Sequence, residues 1–159
     1  MYFAQKLREL SGYNDEAASS SWTGGYGNPW QIIYLFDGDP ETKVVCEGFS
    51  KGFQYLCDYY TELFRFKDEE TYSYIVTGTM SGGGHMWNMV HYNGENYMVD
   101  ITNCSSLGTY NYLFLAGYSS GAYDTGYELR RGTQSFTYKY DDNTKAYYPA
   151  DYLTLSKQR

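Results

Sequence analysis

The chain has 159 residues, enough for one domain with a full hydrophobic core, and nothing in its composition divides it into two. Twelve Lys and Arg against 19 Asp and Glu give a formal charge of −7, and Arg130-Arg131 is the only adjacent basic pair, which opposes nucleic acid or an anionic lipid surface as partner. No apolar run reaches the length of a membrane span, which opposes membrane insertion, and the first ten residues lack the pattern of a signal peptide.

In chain order, residues 2–10 alternate apolar and polar types at helical spacing and read as a short amphipathic helix that stops near Ser11-Gly12. Residues 11–29 form a long polar loop rich in Ser, Gly and Asn, expected on the surface as a cover over a site or as a disordered segment. Ile32 to Phe36 is a brief apolar run, and Asp37-Gly38-Asp39-Pro40-Glu41 reads as a solvated turn. It lacks the later Gly and the distal bidentate Glu of a helix-loop-helix calcium loop, so no calcium is expected there.

From Gly48 onward, Phe49, Phe53, Leu56, Tyr60 and Leu63 recur at spacings of four, three, four and three, the stripe of a helix buried on one face. Cys46 stands at the N-terminus of that helix. The unpaired amides and positive dipole end of a first turn favour a thiolate, so a nucleophilic cysteine is expected, with Glu47 opposing unless its carboxylate turns away. Gly48 and Gly52 share a face and would let another backbone approach closely.

Beyond Lys67-Asp-Glu-Glu70 the pattern changes to strands: Tyr72–Met80, His85–Tyr92 and Glu95–Ile101, then segments around Tyr112–Leu115, Thr133–Tyr140 and Ala146–Tyr148, with Asp141-Asp142-Asn143 as a turn. A helix-rich first half and a strand-rich second half make an α+β domain with an antiparallel sheet.

Asn93-Gly94 between two strand-like runs is a strong two-residue hairpin signal, because both central residues of that turn need positive φ. Tyr92 would then face Glu95 and Trp87 would face Asp100. His85 and Asp100 become diagonal neighbours on one face, where a carboxylate can reach an imidazole nitrogen. A slip of one residue would separate them. His91 shares that face but lies six residues along, about 20 Å away, and reads as a surface histidine. A thiol, an imidazole and a carboxylate so ordered are the set that cysteine acyl transfer needs.

Trp87 would either wall the imidazole off from water or serve as core packing. Asn88 points the other way and is expected to fix a loop. The Cys46 backbone amide is a natural oxyanion donor, with Trp30 or Gln31 upstream as candidates for the second. The cysteines at 46, 57 and 104 lack metal-ligand spacing, and the two histidines are too far apart, so neither metal nor other cofactor is expected. Cys57 and Cys104 are either paired, which leaves Cys46 available, or are two buried thiols.

Three segments carry a family resemblance: Val44-Val45-Cys46-Glu47-Gly48-Phe49-Ser50, Gly82-Gly83-Gly84-His85-Met86-Trp87-Asn88 and Tyr97-Met98-Val99-Asp100-Ile101-Thr102. Over about Val44 to Thr102 the chain resembles the transglutaminase-like superfamily, and its Tyr-rich tail is similar to the short bacterial, often secreted members. The resemblance implies a papain-like fold, with N-terminal helices, one carrying the nucleophile at its N-terminus, packed on an antiparallel sheet. It implies a Cys46 nucleophile, His85 as general base and acid, and Asp100 as the orienting carboxylate. The expected activity is attack on an amide bond through a thioester, with hydrolysis of a peptide or isopeptide first. Protein-glutamine crosslinking is the second expectation, and an inactive peptide- or glycan-binding module the third. The substrate implied is a protein or peptide, such as a cell-wall peptide. Twenty-one Tyr and seventeen Gly with few Lys also suit a domain cut from a longer exported protein acting outside the cell or at its surface.

Overall fold

The computed structural model describes residues 2–19, 21–22, 31–64, 71–104 and 116–157. Helix α1, Tyr2–Leu10, turns Ala4 and Leu7 inward as its sequence pattern demands. Of the polar stretch that follows, Tyr13 pairs with Val44 in a parallel bridge, so its first part is held against the chain entering the next long helix. The expected loop at 20 and 23–29 lies outside the described residues. Helix α2, Ile33–Phe36, is a single turn that buries Leu35. Within the turn after it, Asp37 and Asp39 each accept a hydrogen bond from the backbone amide two residues on, at 2.9 Å.

Helix α3, Cys46–Phe64, begins at the cysteine. Phe49 and Phe53 are buried on its inner face, whereas Tyr60 emerges, so the stripe leaves the core towards its C-terminal end. A β-carbon on Gly48 would collide with Val44, and one on Gly52 with Leu35. The two glycines therefore admit neighbouring side chains, where a close backbone was expected.

Among the described residues, six antiparallel strands follow: β1 Tyr72–Met80, β2 Gly83–Tyr92, β3 Glu95–Val99, β4 Ser120–Ala122, β5 Gly126–Arg131 and β6 Gln134–Tyr140. Their order is β3-β2-β1-β6-β5-β4. The sheet curls until its ends approach. The segment leading into β4 bonds to β3 through Ala116 and Met98, at 2.9 and 3.0 Å, then to β5 through Ser119 and Glu128 at 2.8 Å.

Among the described residues, three short helices follow: α4 Ile101–Cys104, α5 Asp142–Tyr147 and α6 Ala150–Leu153. Two expected strands need correction. Pairing of the third strand stops at Val99, and Ile101 begins α4. Ala146–Tyr148 is largely the end of α5, because the Asp141 side chain accepts the Thr144 amide at 2.8 Å and caps a helix where a turn was expected. Strands β4 and β5 were not anticipated, and Tyr112–Leu115 lies outside the described residues.

Two cores result. Inside the curl, Tyr74, Trp87, Met89, Met98, Tyr138 and Tyr140 pack together. On the other side of the sheet, Val90 and Val99 meet Leu7, Leu35, Phe49 and Phe53 from the helices. Cys57 packs against the helical core and Cys104 lies inside the sheet core, and no disulfide joins the three cysteines. Among the described residues, no helix is long and apolar enough to cross a membrane.

Candidate functional site

The site forms where the start of α3 meets the end of the β2–β3 hairpin. Chain geometry places the thiol. Val44 donates to the Gly12 carbonyl at 3.2 Å and accepts from the Asn14 amide at 2.9 Å, and Val45 accepts from Gly48 at 3.0 Å to open the helix. Cys46 follows as its first residue, half-buried.

Turn chemistry places the imidazole and the carboxylate. Asn93 and Gly94 have φ of 52° and 75°, and the pairing runs from Tyr92 opposite Glu95 to Asn88 opposite Val99, the register expected from a two-residue loop. His85 and Asp100 continue that register beyond the last paired residues, and His85 Nε2 lies 2.7 Å from Asp100 Oδ2. Cys46 lies close enough to the same ring to help raise its pKa. Since Nε2 is engaged by the carboxylate, Nδ1 is the nitrogen left to face the sulfur.

Asp100 is fully buried and heavily supported. Tyr138 from β6 donates its hydroxyl to Oδ2 at 2.8 Å, Asn103 donates its side-chain amide to the same oxygen at 2.8 Å, and the Asn103 backbone amide reaches Oδ1 at 3.2 Å. Burial alone would raise its pKa, but the charge and hydrogen bond of His85, with those from Asn103 and Tyr138, hold it below the usual carboxylate range. For His85, burial opposes the charged ring. The charge and hydrogen bond of Asp100, then the hydrogen bond and charge of Cys46, outweigh it and push the pKa up to about 10. Tyr138 is raised well above its ordinary value by burial and then by Asp100, so it remains a donor.

The thiol-bearing helix is tied to the imidazole-bearing strand by two hydrogen bonds. Ser50 Oγ donates to the Met86 carbonyl and Asn88 Nδ2 donates to the Ser50 carbonyl, both at 3.0 Å. Asn88, expected to fix a loop, instead clamps α3 to β2. Trp87 is 1% exposed and lies between His85, Tyr138 and Tyr140, at centroid distances of 5.9, 5.2 and 5.6 Å. It is core packing and the wall behind the imidazole at once. His91 stacks on Tyr72 at 4.7 Å and pairs with Asn96 at 2.7 Å, away from the site.

A cavity of about 450 Å³ opens beside His85, lined by Arg8, Tyr13, Asp15, Met80, Gly83, Gly84, Thr102 and Asn103. Gln31 is exposed just before α2 and is not among the lining residues, and Trp30 lies outside the described residues. Sequence reasoning missed Tyr13, Asn103 and Tyr138. The inward alternation of Phe136, Tyr138 and Tyr140 was visible, but nothing local says that β6 pairs with β1 and so delivers Tyr138 to Asp100. Among the described residues, no group of three or more His, Cys, Asp or Glu could hold a metal ion.

The His85–Asp100 pair sets a pH dependence of stability. Asp100 is depressed, so its contribution is present above the ordinary carboxylate range and lost as pH falls through its folded value. His85 is raised, so its contribution is complete below the unfolded value of about 6.5 and lost as pH rises through the folded one. In Cys46→Ser, which isolates this pair, urea midpoints should fall on the alkaline side of neutrality. Adding His85→Gln should flatten that limb, and identical profiles with and without His85 would refute the linkage.

No protein-family model matches the chain and no curated protein matches it either, so function rests on the geometry of Cys46, His85 and Asp100.

Proposed function

We propose that the protein is a Cys-His-Asp acyl-transfer enzyme of the transglutaminase-like, papain-related type, acting on amide bonds of a protein or peptide outside the cell. The observation that carries this reading is one imidazole bonded to the buried Asp100 through Nε2, with Cys46 close enough to act on the same ring. His85 takes the Cys46 proton, and the sulfur adds to the amide carbonyl. The imidazolium then gives that proton to the departing amine, the C–N bond breaks, and an acyl thioester remains on Cys46. Asp100 keeps the ring oriented and stabilises its charged form, while Tyr138 and Asn103 hold Asp100 in place.

Water is the preferred second nucleophile, because the cavity beside His85 is bordered by the exposed Asp15, Gly83 and Gly84 and is open to solvent. His85 deprotonates that water as it adds to the thioester carbonyl, the C–S bond breaks to release the acid, and the imidazolium returns the proton to the Cys46 sulfur. Incubation with a peptide library or a cell-wall digest should leave a trapped acyl mass on Cys46 that decays to free acid. Incorporation of a lysine analogue into a glutamine peptide faster than hydrolysis would replace hydrolysis by crosslinking. No adduct and no turnover would leave the peptide- or glycan-binding module.

A further inference from the structure

The thioester mechanism requires two hydrogen-bond donors on the tetrahedral oxygen, and sequence reasoning left the second without an assignment. We propose that the Tyr13 hydroxyl is this donor, acting with the Cys46 backbone amide. The assignment rests on the acyl-transfer reading.

Position is the first argument. Tyr13 is bridged to Val44, two residues before the nucleophile, by backbone bonds at both of its neighbours, Gly12 and Asn14. Its ring is half-buried against the helical core, while the residue lines the cavity that also contains His85. Tyr13 is therefore tied by a short connection to the start of the helix that carries Cys46.

Availability is the second. Among the described residues, the Tyr13 hydroxyl makes no hydrogen bond, and neither does the Cys46 amide, the first of its helix. A hydroxyl on a residue that lines the cavity, with no partner from the protein, can bond a ligand that enters it. Other polar groups there are engaged elsewhere: the Arg8 guanidinium lies over the Phe49 ring, 4.7 Å from its centroid. Asn103 and Tyr138 are bound to Asp100. The buried Thr102 Oγ1 also has no partner, but Thr102 belongs to α4, two residues beyond Asp100, and is outside the bridge that anchors the start of α3.

Charge is the third. Burial, followed by the charges of Cys46, Asp15 and Asp100, with Arg8 opposing, pushes the Tyr13 pKa up to about 12. The hydroxyl keeps its proton throughout neutral pH. A donor that keeps its proton before the reaction can stabilise charge that develops only during it.

The test compares two reactions of Cys46 in the intact chain. Acetylation by p-nitrophenyl acetate passes through an oxyanion, whereas alkylation by iodoacetamide displaces iodide at a saturated carbon and does not. Tyr13→Phe keeps the ring and removes one oxygen. It should slow acetylation by roughly 10²–10³-fold while leaving alkylation unchanged. Thr102→Val should leave both unchanged. Equal acetylation of wild type and Tyr13→Phe, an equal loss in both reactions, or a selective loss in Thr102→Val would each overturn the assignment. If wild-type Cys46 is acetylated no faster than in the urea-unfolded chain, the acyl-transfer reading fails and Tyr13 falls with it.

Discussion

Replacing His85 by Gln should reduce acylation of Cys46 roughly 10⁴-fold or more, because the variant can still hold Asp100 but cannot take or return a proton. Gln is a better choice than Ala. The His85 side chain is only 6% exposed and faces a carboxylate with no exposure at all. Truncation to Ala would strand that charge, at a cost of about 3–5 kcal/mol, and confuse lost chemistry with lost fold. Limiting iodoacetamide followed by peptide mapping gives a companion readout. In the wild type Cys46 should be labelled first, since burial pushes the Cys57 thiol up to about 11 and Cys104 is fully enclosed. In His85→Gln that preference should disappear. Equal labelling of Cys46 and Cys57 in the native wild type, or an acylation rate untouched by the substitution, would leave no role for the imidazole.

The largest loss of stability is expected from Trp87→Ala, at about 3–5 kcal/mol. Trp87 sits at the middle of the sheet core with Tyr138 and Tyr140 against it and His85 stacked above, so removing the indole leaves a void that three rings line. Urea unfolding monitored by far-UV circular dichroism measures the difference directly. A cost below about 1 kcal/mol would mean that the rings close over the space, against the packing described here. Trp87→Phe should recover much of the stability. It should recover less of the acylation rate, because a smaller ring leaves the imidazole less confined.

The parts of the site that local sequence encodes were legible. Asn93-Gly94 dictates a two-residue turn, the turn dictates the register, and the register alone puts His85 within reach of Asp100. The hydrophobic stripe of α3 likewise put Cys46 at a helix start. What escaped is what arrives from far along the chain. Tyr138 meets Asp100 only because β6 crosses to lie beside β1, and Tyr13 reaches the cavity only because a polar segment is pinned to Val44. Neither relation leaves a periodic trace. Asp141 misled for a different reason: an Asp-Asp-Asn run suits a turn and a helix cap equally well, and the Thr144 amide that decides between them lies three residues on.

The curl of the sheet has a consequence for how this chain behaves among its own copies. Tyrosine is a strong strand former, and a sheet rich in it with a bare edge would invite another molecule to add a strand there. The outer edge of β3 is already occupied. Ala116 pairs with Met98, and Ser156 donates to the Asn96 carbonyl at 2.8 Å while its hydroxyl accepts the Asn96 amide at 3.1 Å. The opposite end is β4, three residues long and bent at Gly121, where φ is 105°. One edge is covered and the other is too short to template a long ladder, so the fold that gathers the site also blocks the route by which a tyrosine-rich sheet would grow into fibres.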